Sequence, residues 1–126
     1  MKAPQQQFYD KLYAISLALG YDTYHFLPER GASYPFVFIG EYFGEDEANK
    51  SNVAGDYTQF IRVYGDKDDR RTVTDIVMSL MHEIREITHT ETFYIMIKSI
   101  RHRVEIETVT TGQPVVGRIE IDYKFN

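Results

Sequence analysis

Apolar residues recur at Phe8, Leu12, Ile15 and Leu19, the i, i+4, i+7, i+11 spacing of a single helical stripe. The spacing predicts a helix over 4–19, with Pro4 in its first turn and Gly20 as its C-terminal cap. Gln5, Gln6 and Gln7 read as a solvated first turn. A short strand is predicted over 21–27, closed by Pro28. Residues 35–43 carry apolar side chains on both parities, the pattern of a central strand covered on both faces. Residues 57–64 alternate: Tyr57, Gln59, Ile61 and Val63 on one face, Thr58, Phe60, Arg62 and Tyr64 on the other. The second helix is predicted from about Thr72, with Thr72 and Asp75 as a variant capping box. Val73, Ile76, Val77, Leu80, Ile84 and Ile87 make the clearest stripe in the chain. Those on the core side are expected to pack on the sheet that holds Phe36 and Phe38.

Two strand-like runs follow, over 93–97 and 100–108, on opposite parities. A bulge or corner near Lys98 and Ser99 would account for the slip. Residues 115–126 then alternate cleanly, as a half-solvated antiparallel strand does. Between the two middle strands, 44–56 is polar, net acidic and bordered by glycines. It is read as a hairpin loop, longer than the usual two to five residues and so of functional interest. The order of elements predicts an α+β two-layer sandwich, a mainly antiparallel sheet with two helices packed on one face, in a single domain over 1–126.

The length, 126 residues, suits one domain with its own core. Cysteine is absent, which excludes disulfide frameworks, thiolate metal sites and cysteine nucleophiles. The net charge of −5 argues against a general nucleic-acid binder. No apolar run approaches a membrane span, so no membrane partner is expected and the chain reads as one made in the cytoplasm.

Catalytic candidates fail on spacing. His82-Glu83-Ile84-Arg85-Glu86 lacks the second histidine at i+4 that a helical zinc site needs. His25 and His102 have no partner by spacing. Asp66, Asp68 and Asp69 lack the remaining ligands of a calcium loop and suit a helix N-terminus. No catalytic residue, cofactor or metal is expected, and the chain is not read as an enzyme. Lys98, Arg101, Arg103, Arg118 and Lys124 gather in the last strands, where cross-strand ion pairs are expected.

The run Tyr-Pro-Phe-Val-Phe-Ile-Gly-Glu at 34–41, the polar loop, Phe-Ile-Arg-Val-Tyr at 60–64 with its acidic turn, and the helix over 73–87 together resemble the tail-completion (tail-terminator, tail-to-head joining or minor capsid) proteins of long-tailed bacteriophages and prophages. The resemblance covers most of the chain. It implies a small α+β subunit, monomeric when free, that caps the tail tube as a homo-oligomeric ring of typically six copies and joins it to the head connector. The implied partners are the tail-tube and head-connector proteins, with DNA only in transit, and the implied location is the virion's tail–head junction. Alternatives are another neck or head-closure component and a bacterial binding or adaptor module. The residues taken for a partner or lumen loop are Glu45, Asp46, Glu47, Asn49, Lys50 and Asn52. Those taken for an exposed oligomer interface are Tyr57, Gln59, Arg62 and Tyr64.

Overall fold

The computed structural model describes residues 2–28, 32–46 and 55–126. Helix α1 spans Pro4–Ala18 and helix α2 Arg70–Arg85. The strands are β1 (Thr23–Tyr24), β2 (Phe36–Asp46), β3 (Gly55–Gly65), β4 (Ile95–Ile106) and β5 (Val115–Phe125). They form one sheet in the order β1-β2-β3-β5-β4. All neighbours are antiparallel except β1 and β2, which run parallel. This is the α+β sandwich that the order of elements implies.

Both helices cover the same face. Phe8 and Leu12 of α1 join Val73, Ile76, Val77, Leu80 and Ile84 of α2 over Val37, Ile39, Ile61, Val63, Ile119, Ile121 and Tyr123. Phe8 stacks on Tyr123 at 3.9 Å between ring centroids. At Gly117 a Cβ would lie 2.5 Å from a methyl carbon of Val77, so the missing side chain is what lets α2 sit against β5. Gly20, at φ +91°, ends α1 in the left-handed conformation that glycine adopts at little cost.

Several expectations need correction. The α2 stripe does pack on the sheet that holds Phe36 and Phe38, but through the face that those two do not occupy. Phe36 forms a small second cluster with Tyr64 and Val116, and Phe38 packs beside it. A run that is apolar on both parities cannot show which parity meets the helices. The strand expected over 21–27 shortens to Thr23–Tyr24. The second helix starts at Arg70, so Thr72 lies inside it and no side chain caps its start. Gln7 is buried rather than solvated. Its side chain bonds Thr90 and Thr92, tying α1 to the segment after α2. The expected bulge exists: the β4–β5 register shifts between Ile97 and Ser99 within one long strand.

Candidate assembly interface

Five strands and two helices on one side leave the other side of the sheet without a helix. On that side the register stacks side chains in rows across β2, β3, β5 and β4. One row holds Phe38, Arg62, Arg118 and Arg103; the next holds Phe60, Glu120 and Arg101. At one end sits an aromatic cluster in which Phe36 stacks on Tyr34 and on Tyr64 and meets Tyr24 edge-on.

The rows are laced by ion pairs across strands. Arg101 reaches Glu120 at 2.6 Å, Arg118 reaches Glu105 at 2.7 Å, Arg62 reaches Glu41 at 3.2 Å and Lys98 reaches Asp56 at 3.2 Å. Arg62 also lies over the Phe38 ring, 5.7 Å from its centroid. Asp122 accepts hydrogen bonds from Thr58 at 2.6 Å and from Ser99 at 2.9 Å. The Thr58 bond, with Ser99 and the nearby Arg101 and Lys98, holds its carboxyl below the ordinary aspartate range against the opposing effect of burial. Glu105 is likewise held low, first by its bond from Arg118. The cross-strand pairing expected of the basic residues is present for Lys98, Arg101 and Arg118. Arg62, Glu41, Phe60, Arg101, Arg103, Arg118 and Glu120 line one shallow depression on this face. Its chemistry is alternating charge around aromatic rings, which suits a protein surface better than a small substrate.

The interface residues taken from sequence separate. Arg62 is on the open face. Tyr57, Gln59 and Tyr64 are not exposed: each is buried within the subunit. β3 lies in the middle of the sheet, with Tyr57 and Gln59 on the parity that the helices cover and Tyr64 in the aromatic cluster at one end of the open face. Tyr57 stacks on Tyr42 and meets Phe125 edge-on. Gln59 is 0% exposed. Its Nε2 donates to the carbonyls of Gly40, Glu41 and Phe60 at 2.9, 3.1 and 3.0 Å. Those carbonyls flank the point between Ile39 and Tyr42 where the β2–β3 register shifts, so Gln59 is the clamp of a β-bulge.

The acidic segment is also redrawn. The β2–β3 ladder continues through Glu45–Asp56 to Asp46–Gly55, so 44–46 and 55–56 are strand rather than loop. Glu45 is exposed near the end of β2. Glu47, Asn49, Lys50 and Asn52 lie outside the described residues. Sequence reasoning missed Glu41, Phe43, Phe60 and Glu120. Phe43, 71% exposed on a strand, carries a signal only once the strand order is known.

Among the described residues no group of three or more histidine, aspartate or glutamate side chains could hold a metal ion. No described helix is long and apolar enough to cross a membrane. No family model matches the chain, and no curated protein does. Among solved structures, a chain from the virion of a native gene transfer agent (GTA) particle superposes with a TM-score of 0.65. The two are 16% identical over 98% of this chain and 92% of the other. At that identity the likeness is one of fold, and it extends over essentially the whole of both chains.

Proposed function

We propose that the chain is a structural subunit of a phage-type virion, of the tail-completion kind: it caps the tail tube and joins it to the head connector as a homo-oligomeric ring. The observation that carries this reading is the shared fold, end to end, with a chain of a virion particle. An open sheet face of alternating charge and aromatic rings suits an assembly role. In this reading the tail-tube and head-connector proteins meet the two rims of the ring, and DNA passes through without being held. Glu45 and Asp46, with Glu47, Asn49, Lys50 and Asn52 beyond them, either line the passage or dock on one partner. An acidic lining would keep phosphates from adhering.

The test is to remove the gene from cells that make the particle and to image the lysate by negative stain. Separate heads and tails are expected, with joining restored by the gene supplied in trans. Joined particles of normal appearance and infectivity would refute the reading. Leaking heads beside complete tails would move the subunit to the head side of the neck.

A further inference from the structure

The strand order leaves two stretches of backbone without a described strand partner. β4 is the last strand in the sheet, with β5 on one side only. Its first residues are covered, because the Ile95 amide donates to the Thr88 carbonyl, but 97–106 has no described strand beside it. On the opposite margin β1 pairs with β2 only at Val37 and Phe38, which leaves 40–46 similarly open. Unpaired edges invite another strand.

The two edges carry opposite charge. Within its own strand the β4 edge presents Lys98, Arg101 and Arg103, all exposed, against a single acid, Glu105, while Lys98 and Arg101 also reach inward to Asp56 and Glu120. The β2 edge presents exposed Glu41 and Glu45 and no base. Apolar side chains stand exposed on both, Tyr42 and Phe43 on β2 and Ile106 on β4. Two β4 edges repel each other, as do two β2 edges, while unlike edges attract. The charges thus oppose a two-fold dimer and favour a head-to-tail contact, the kind that closes into rings. Direction agrees as well. β2 and β5 run one way and β3 and β4 the other, so a neighbour turned about an axis along the strands sets its β2 antiparallel to β4. The alternation of the sheet then continues unbroken from copy to copy.

We propose that copies of this chain associate head to tail by β4 of one copy adding antiparallel to residues 40–46 of β2 in the next, with Arg103 set across from Glu41 and Arg101 across from Phe43. The pairing names the contact within the ring proposed above and rests on that reading. It makes the ring wall a continuous antiparallel sheet.

Because the chain has no cysteine, introduced thiols report without background. The test places Tyr42→Cys and His102→Cys, which the register sets directly across from each other, in one purified chain and treats it, at rising protein concentration, with a short flexible bis-maleimide. Both positions are exposed, so the fold is kept, which circular dichroism verifies. A ladder of oligomers is expected, with peptides joined through positions 42 and 102 in mass spectrometry. Each single-cysteine chain is expected to stop at a dimer. Arg103→Glu added to the double-cysteine chain is expected to thin the ladder. Oligomers by sedimentation without the 42–102 link overturn the edge pairing and leave a ring built another way. An unaltered ladder in the Arg103→Glu chain overturns the charge-matched register. A chain that remains monomeric at every concentration overturns self-pairing, while gene removal judges the virion role separately.

Discussion

Gln59 shows how much one side chain can hold. Its amide nitrogen serves three backbone carbonyls at the β2 bulge. Replacing it with leucine keeps the volume and removes the side-chain donor that the three carbonyls share. Leaving one buried polar group unsatisfied costs about 1–3 kcal/mol, and we expect Gln59→Leu to destabilise by at least that much in urea denaturation. Unchanged stability would mean the bulge holds itself. Asp122 sets an acid limb. Its carboxyl is held low in the folded chain, so the folded state favours the charged form. That contribution is fully present above the ordinary aspartate value and is lost as pH falls through the lower, folded value. Asp122→Asn is therefore expected to lower the melting temperature at neutral pH, with the gap to the parent chain shrinking as pH falls below about 4. A gap that stays constant with pH would show that the carboxylate charge is not what matters.

Among the elements, α2 was the most legible. Val73, Ile76, Val77, Leu80 and Ile84 mark one side only, and that side is the buried one. β2 was legible as a strand but not in its facing, because Phe36 to Ile39 is apolar on both sides and has no phase. Tyr57, Gln59, Ile61 and Val63 share a parity, but parity alone does not reveal which side meets helices. The sequence also does not show how closely α2 approaches the sheet. That depends on Gly117, where even a methyl group would press into Val77. Gly117→Val is expected to push the helix off β5 and to destabilise by about 1–3 kcal/mol or more, the usual scale of overpacking. The check is thermal unfolding by circular dichroism; a neutral result would mean that α2 slides at little cost.

At the scale of the whole molecule, fold class followed from the order of helices and strands, and cross-strand ion pairing followed from the acids and bases of 98–124. Strand order did not follow. Hairpin logic alone gives no reason for β5 to enter between β3 and β4 rather than at a margin. Yet that insertion decides which backbone is left bare and which residues form an open face. Arg62, Arg101, Arg118 and Glu120 belong to β3, β4 and β5 and meet only because of it. Tyr57 and Tyr64 are buried for the same reason. The candidate surface is therefore a property of topology, and the residues that compose it carry no local signature.

The central place of β5 also bears on how the chain acquires its structure during synthesis. β3 and β4 have no contact through a ladder of their own; each pairs with β5, the strand that follows both. Until 115–125 leaves the ribosome, the β2–β3 hairpin and β4 are separate pieces with unpaired margins, and Phe8 lacks the Tyr123 ring on which it stacks. Helix α2 in turn lacks the part of its platform that Ile119 and Ile121 supply. The nascent chain thus waits with its apolar stripes uncovered, and closure comes in one late step that joins both halves at once. Long-range closure of this kind is slow and concentrates risk in the interval before it. The arginines, lysine and carboxylates beside the waiting strands then have a second use: they keep incomplete chains apart until the last strand arrives.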